Sequence, residues 1–316
     1  MHKIAFVVFD GFQSMALATQ SVFEYANVTA ERQVYQIHFV SEHGGPVPAS
    51  SGMSVLTVPF AGRSYDTIIV GGGDDILQAA PEAILKFVRR SARSARRTAS
   101  ICSGAFVLAQ AGLLDGRRAT THWGYARALQ THYPAITVDD DRIYIIEENI
   151  WTSAGMTAGI DMALAMVEQD LGAEMARKVA QKLVMFHRRA GGQSQHSALL
   201  ELAPKSDRIQ SALAYAKANL SQALSVEQLA GVANLSPRQF SRIFRAETGQ
   251  SPAKAVENLR LEAARMLMEQ TRHSLEEISI QTGFVDHRRM REAFQRAYGQ
   301  PPQSIRRSAR SEMRHL

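Results

Sequence analysis

Two stretches fifty residues apart are near copies of each other. "TGQSP" at 248–252 is echoed by "YGQPP" at 298–302, and the same offset pairs Phe244 with Phe294 and Arg238 with Arg288. Upstream, "SVEQLA" (225–230) corresponds to "SLEEIS" (274–279) at an offset of 49. In each copy a serine precedes a short amphipathic segment. A turn follows ("VANLS", 232–236; "TGFVD", 282–286), then a second helical segment that runs to a glycine with a proline soon after. Serine is a favoured N-cap because its hydroxyl accepts from an orphaned first-turn N–H. Glycine closes helices because it enters the left-handed region without a Cβ clash. Helix, tight turn, helix is the helix-turn-helix unit. Two copies at fixed spacing confine the last hundred residues to a tandem pair of them.

The second helix of each copy has two unlike faces. Phe240, Ile243, Phe244 and Glu247 share one, and its apolar members turn it inward. Arg238, Ser241, Arg242 and Arg245 then point outward, with Gln239 beside them. In the second copy Met290, Ala293, Phe294 and Ala297 are expected inward, while Arg288, Arg289, Glu292 and Gln295 lie mostly opposite, after His287 at the helix start. Arginine at the start of an outward face suits the major groove, where it bonds guanine edges bidentately and pins phosphates. The DNA-binding candidates are therefore Arg238, Gln239, Ser241, Arg242, Arg245, His287, Arg288, Arg289 and Glu292. Between the copies, 252–269 is expected as one helix, with Pro252 allowed in its first turn. Its length of about 27 Å approaches one turn of DNA, roughly 34 Å.

Charge agrees with a polyanion partner for this part. The chain of 316 residues carries +6, and all of the excess sits at its end. Residues 1–204 hold 18 Lys and Arg against 19 Asp and Glu, whereas residues 205–316 hold 18 against 11. On these motifs, residues 206–308 resemble the AraC family of transcription regulators. The segments "DRIQSALAYAKANL" and "GFVDHRRMREAFQRAYGQPPQSIRR" carry the likeness. The resemblance implies promoter binding to double-stranded DNA, mostly activation, and action as dimers or paired monomers. Glu292 departs from the family, which often has a basic or polar residue there; a glutamate can accept from cytosine N4.

The first two thirds follow another pattern. "IAFVVF" (4–9), "VYQIHFV" (34–40), "DTIIV" (66–70) and "TASI" (98–101) are apolar or β-branched, as strands covered on both faces should be. Helical stretches at 15–30 and 81–94 alternate with them, which predicts an α/β domain with a parallel sheet flanked by helices. "RIYIIEENIWTSAG" (142–155) is expected to be a hairpin turning at 147–149, followed by helices 157–171 and 173–187. The polar, glycine-bearing "HRRAGGQSQHS" (187–197) opens a linker. The expected division is thus 1–187, a linker 188–205, and an all-α domain 206–310 with two helix-turn-helix units.

The only cysteine, Cys102, lies in "TASICSGAFVLAQAGLLDGRRATTHW" (98–123), about thirty residues after "DTIIVGGGDD". Residues 3–187 resemble the ThiJ/PfpI branch of the class I glutamine amidotransferase-like fold, which is flavodoxin-like. The resemblance implies that Cys102 stands on a sharp strand-to-helix turn. Exposed helical N–H groups at such a turn favour a thiolate. The resemblance also implies that His122 approaches the thiol and that amides around Gly71–Gly73 line the opposite wall. Catalytic relatives add an acidic side chain from the turn after the first strand. Here Met15 and Ser21 align with the two acidic positions, Glu24 falls out of register and Asp10 lies too early. Without that carboxylate nothing obvious shares a proton with the thiol. No catalytic residue is therefore assigned, and Cys102, His122, Trp123, Gly72, Gly73 and Met15 are expected to contact a ligand. The rival is a cysteine-dependent hydrolase or hydratase with DNA-binding helices attached; a further one is an oxidation sensor.

Other classes find no support. The triple glycine is neither a dinucleotide fingerprint nor a phosphate-binding loop, and no HExxH pattern occurs, so no cofactor and no metal are expected. The six apolar residues at 4–9 are too few for a signal-peptide core or a membrane span, and a single cysteine forms no internal disulfide. A cytoplasmic protein is expected, without membrane contact. The chain is thus expected to be a DNA-binding regulator and not an enzyme. The two resemblances together imply a one-component switch that would activate a catabolic operon, contact RNA polymerase, work as a homodimer, and respond to a small nitrogen-containing effector. Such an effector could find a cation–π face on Trp123.

Overall fold

The computed structural model describes residues 1–73, 75–185, 189, 191–192, 194–195, 202 and 204–307, of which Gln270 by its backbone alone. The chain divides into two compact units, the first ending at Gln195. Of the linker expected at 188–205, residues 188, 190, 193, 196–201 and 203 lie outside the described residues, as do 308–310 at the expected end of the second domain.

In chain order the first unit contains β1 (His2–Val7), a 3-10 turn (Ser14–Thr19), α1 (Gln20–Ala30), β2 (Tyr35–Ser41), β3 (Gly45–Pro48) and β4 (Ser54–Pro59). Then come β5 (Thr67–Val70), α2 (Glu82–Ala92), β6 (Arg97–Ile101), α3 (Gly104–Gln110) and β7 (Arg118–Ala119). α4 (Trp123–His132), β8 (Thr137–Val138), β9 (Tyr144–Glu147), β10 (Ile150–Ser153), α5 (Met156–Leu171) and α6 (Ala173–Lys182) complete it. Eight strands form one sheet in the order β3-β4-β2-β1-β5-β6-β10-β9, and β7 pairs with β8 separately. The pairs from β4 through β10 are parallel; the two outermost, β3–β4 and β9–β10, are antiparallel.

The period of two in β1 explains why helices cover both faces. Ile4 and Phe6 enter a core with Val22 and Phe23 of α1 and Met162 and Met166 of α5. Ala5 and Val7 enter the opposite core with Ile84 and Val88 of α2 and Phe106 of α3. With both faces buried, such a strand has to be apolar at every position. The chain leaves β1 towards β2 on one side of the sheet, and leaves β5 towards β6 on the other. The crevice beyond the carboxyl ends of β1 and β5 is therefore the switch point, where open α/β sheets bind ligands.

Three local readings change or sharpen. The helix expected at 15–30 starts only at Gln20, because Ser14–Thr19 winds as a 3-10 turn in which the Thr19 hydroxyl donates to the Ala16 carbonyl at 3.0 Å. The β3–β4 hairpin was not legible: Pro46 and Pro48 in "GPVP" look like a loop, yet β3 is an edge strand, where a missing N–H breaks no ladder bond. The hairpin at 142–155 does form. Glu147 pairs with Ile150, and Glu148 in the two-residue loop takes φ 55°.

Among the described residues, the second unit contains α7 (Asp207–Ala218), α8 (Val226–Val232), α9 (Pro237–Thr248), α10 (Pro252–Gln270), α11 (Leu275–Gln281) and α12 (His287–Tyr298), with further helix at 302–307. They make two cores joined by one helix. Ala255, Val256 and Leu259 of α10 pack with Phe240 and Phe244 of α9, while Leu261, Ala264 and Met268 pack with Ile278 of α11 and Phe294 of α12. Among the described residues no helix is long and apolar enough to cross a membrane.

Candidate functional site

Each second-copy feature has a first-copy counterpart in the helical unit. Ser225 and Ser274 form full capping boxes with Gln228 and Glu277 at the starts of α8 and α11. The intervening turns need a left-handed residue, and Asn234 (φ 53°) and Gly283 (φ 77°) supply it. Ser236 caps α9 and Asp286 caps α12; Gly249 (φ 73°) and Gly299 (φ 66°) close them. These devices hold α9 and α12 as the exposed second helices of two matched units.

On α9, Arg238, Gln239, Arg242 and Arg245 are exposed and Ser241 is half-buried. Gln239 also has a second task, since its Oε1 accepts from the Ser236 N–H at 3.2 Å and the Ser236 hydroxyl at 2.9 Å. Glu247, expected on the inner face, reaches back to accept from the Ser206 N–H and hydroxyl, both at 3.0 Å, at the start of α7. On α12, Arg288, Arg289 and Glu292 are exposed and His287 is half-buried. Glu292 lies 3.8 Å from Arg288, a pair open to solvent and so of little energetic weight. Met290, Ala293 and Phe294 are buried as expected, but Ala297 is exposed.

Within the second unit, the two helix-turn-helix copies are clamped together by side chains outside the expected reading faces. Arg260 of α10 donates from Nε to the Leu220 carbonyl (3.2 Å) and from Nη2 to the Gln222 carbonyl (2.6 Å). Gly283 sits against the same place, where a Cβ would come within 1.8 Å of the Leu220 oxygen. Arg296 of α12 pairs with Glu257 of α10 at 2.9 Å. Carbonyls forty residues distant leave no trace in the local pattern, so only the glycine in the turn hinted at the clamp.

In the first unit Cys102 stands between β6 and α3 with φ 54°, the strained turn of a nucleophile elbow. Its N–H donates to the Ser153 carbonyl (3.0 Å), and its carbonyl accepts from the Thr121 hydroxyl (2.8 Å). Close packing fixes the turn: a Cβ on Gly104 would meet the Val70 oxygen at 2.2 Å, and one on Gly72 would meet Ser103. Next to Gly72, the Gly73 carbonyl accepts from the Ser103 hydroxyl at 3.2 Å.

Cys102 is only 7% exposed. Burial pushes its thiol above the ordinary cysteine range, outweighing the opposite pull of the Ser103 N–H and hydroxyl. A helix start favours the thiolate, but desolvation wins. Among the described residues no carboxylate bonds to Cys102. Met15, aligned with the missing acid, is 51% exposed, and Glu24 is exposed on α1. The inward position of that turn belongs to Ala16, which is buried with its Cβ 2.9 Å from where a Gly71 Cβ would stand. We expect iodoacetamide to label Cys102 in the folded protein at least about tenfold more slowly than in the urea-unfolded chain at pH 7.5. Mass spectrometry over time checks this, and equal rates would contradict the buried thiol.

The remaining expected ligand residues divide. His122 caps α4, its Nδ1 accepting from the Gly124 N–H at 3.2 Å, with Trp123 and Tyr125 rings at 5.3 and 5.4 Å. Trp123 is 55% exposed. The Thr121 bond joins this turn to the elbow. Gly73, by contrast, lines a separate cleft of about 430 Å³ at the β1–β5 switch point, with Phe9, Asp10, Ser103, Phe106 and Gln110. Neither Cys102, His122, Trp123 nor Met15 lines that cleft. Among the described residues no cluster of His, Cys, Asp and Glu could hold a metal ion.

Known proteins share this construction. Residues 2–169 match the DJ-1/PfpI family, and residues 229–308 match the helix-turn-helix domain family. The HTH-type transcriptional regulator GbdR of Pseudomonas aeruginosa is 31% identical over 310 residues, spanning 96% of this chain and 84% of its own. The HTH-type transcriptional regulator GlxA of Rhizobium meliloti is 32% identical over 316 residues, spanning 98% and 97%. An isonitrile hydratase of Pseudomonas putida is 36% identical over 184 residues, which cover 57% of this chain and 77% of the hydratase. The fold also matches the crystal structure of an AraC family transcriptional regulator from Pseudomonas putida, with a TM-score of 0.52 at 18% identity over 58% of this chain and all of that one. The chain belongs to the family of HTH-type transcriptional regulators that join a DJ-1/PfpI domain to an AraC-type helix-turn-helix domain.

Proposed function

We propose that this DNA-binding regulator reads two successive major-groove segments with α9 and α12. We further propose that a small nitrogen-containing metabolite bound in its first unit adjusts that binding. The observation that carries the DNA part is the matched pair of capped helices presenting Arg238, Arg242 and Arg245 on one and Arg288 and Arg289 on the other, clamped to a shared helix. For the effector, Trp123 offers an exposed indole face to a cationic nitrogen beside His122, with Cys102 joined to that turn through Thr121, whereas Gly73, which lines the separate cleft, and its neighbour Gly72, with the exposed Met15, would reach a ligand only from the switch-point side. The regulator would act as a homodimer that contacts RNA polymerase and activates a catabolic operon.

The enzymatic alternative draws on the hydratase relative. Against it stand the burial of the thiol, which disfavours the thiolate, and the methionine at position 15, where the acid aligns. The first unit is therefore assigned to sensing.

The test is a footprint on the DNA upstream of the chain's own gene at stated salt, for the wild type and Arg242→Ala. Two protected segments about one turn apart are expected in the wild type. Losing one base-reading arginine costs about 1–3 kcal/mol, so Arg242→Ala should bind roughly 5- to 150-fold more weakly and lose protection first in one segment. No protection at any salt, combined with turnover of an isonitrile or amide that Cys102→Ala abolishes, would put the enzyme reading in its place.

A further inference from the structure

The last residue of the first unit grips the turn that carries His122 and Trp123. Gln195 Oε1 accepts from the Trp123 N–H at 2.8 Å. Its Nε2 donates to the Thr121 carbonyl (2.9 Å), the Arg142 carbonyl (2.9 Å) and the Thr120 hydroxyl (3.1 Å), two hydrogens shared among three acceptors. Its own N–H donates to the Asp141 carbonyl at 2.8 Å, and the preceding Ser194 hydroxyl bonds the Asp141 carboxylate. Upstream, Arg189 is tied by its N–H (2.9 Å) and Nε (2.7 Å) to Asp161, whose side chain is wholly buried in α5. The stretch from Arg189 to Gln195 is thus anchored at both ends, and its downstream anchor is the proposed effector wall.

The bonds form one chain of contacts. Thr121 gives its hydroxyl to the Cys102 carbonyl and its own carbonyl to Gln195. Any ligand that presses on Trp123 or displaces the elbow moves atoms that Gln195 holds. Beyond Gln195 the chain continues into the DNA-binding unit.

We infer that Gln195 is the positioning residue through which the 120–123 turn controls how freely the DNA-binding unit is tethered. This rests on the effector reading above. Closed, the latch holds Arg189, Ser194 and Gln195 against the first unit. Opened, a chain of the length from 189 to 195 has a reach of up to about 25 Å at 3.3–3.6 Å per residue. That reach is comparable with one turn of DNA, so in a pair of copies the latch state decides which separations between their two DNA-binding units are accessible. The equilibrium is two-state and reciprocal: what binds at one end must alter the other.

The test uses the full chain in two ways. First, transcription from a reporter under its own upstream DNA is measured with no effector added, for the wild type, Gln195→Ala and Gln195→Glu. Gln195→Glu keeps the acceptor for Trp123 but turns a carboxylate towards three oxygens, so it should open the latch as fully as alanine does. At least a fivefold change in output is expected for both variants, with an unchanged thermal midpoint for the first unit. Second, hydrogen exchange of the wild-type peptide containing Trp123 is followed with and without that DNA, a measurement that stands even if the variants fail to fold. At least a threefold change at the Trp123 amide is expected. Wild-type protein that protects the DNA while output stays within twofold in both variants and the amide exchanges at one rate would overturn the latch alone. A wild type that protects no DNA would overturn the regulator reading, and the latch with it.

Discussion

Replacing Asp170 by asparagine is expected to cost the first unit about 3–5 kcal/mol at pH 7, the usual consequence of stripping one partner from a buried ion pair. The Asp170 side chain, at the end of α5, is wholly buried and receives Arg96 and Arg97 at 2.6 Å each. Arg97 is itself 4% exposed and lies over the Trp151 ring at 5.5 Å, so it has nowhere to go for water. Tyr35 adds its hydroxyl at 3.0 Å. Burial alone would raise the Asp170 carboxyl, but the hydrogen bonds and charges of Arg97 and Arg96 outweigh it and hold the group below the ordinary aspartate range.

The sign of the pH dependence follows. A carboxylate depressed in the folded state contributes stability that is complete above its unfolded value of about 3.9, and loses it as pH falls towards its lower folded value. The asparagine side chain has no proton to gain, so the gap between wild type and Asp170→Asn should narrow in acid. Urea unfolding at pH 7 and pH 3.5 measures it. A gap below about 1 kcal/mol at pH 7, or one equally large at both pH values, would show that the cluster is not held as described.

Alanine in place of Gly283 should be the most damaging small substitution in the helical unit. Its φ of 77° costs a side chain about 1–2 kcal/mol, and its Cβ would sit 1.8 Å from a backbone oxygen, that of Leu220, and 2.8 Å from Arg260 Nε. Relieving that overlap costs roughly 1–3 kcal/mol more and pushes Arg260 off the two carbonyls it bonds. Gly299 is the natural control. It has φ 66° but open space where a Cβ would go, so Gly299→Ala carries the conformational part alone. Thermal unfolding should separate the two variants by several degrees. In a footprint, Gly283→Ala should weaken one of the two protected segments while the other persists, because the reading helices lose their fixed phase. Equal behaviour of the two variants would remove the clamp from consideration.

Why some of this was legible in the sequence and some was not has a physical basis. The tandem helix-turn-helix was legible because caps, turn residues and the buried phenylalanines act within a few positions of one another. The sheet was legible from β1, β2, β5 and β6 because double-sided burial forces apolar runs. The β3–β4 hairpin was not, since a proline-bearing edge strand has no apolar signature. At the elbow the turn was legible through the family resemblance, but the upward push on the thiol comes from burial by distant elements. Which side chain of 14–19 faces inward was decided by a 3-10 turn, with a different period from the helix expected there, and so Ala16 rather than Met15 points at Gly71. Gln195 left no signal at all. Its partners lie 53 to 75 residues away, and in a polar, glycine-bearing stretch a glutamine looks like solvent-facing chain.

The prolines of β3 bear on self-association. Pro46 and Pro48 have the same parity on the outermost strand, paired with Leu56 and Ser54, so its outward side lacks the N–H groups a further strand would need, and the Pro48 carbonyl is already taken by the Gly11 N–H at 3.1 Å. A second copy cannot extend the sheet there, and runaway edge-to-edge stacking into fibres is blocked at this end by covalent chemistry rather than by charge. A homodimer of this regulator would then have to assemble elsewhere than on this edge. An association that avoids this edge can close on itself after two copies instead of growing strand by strand.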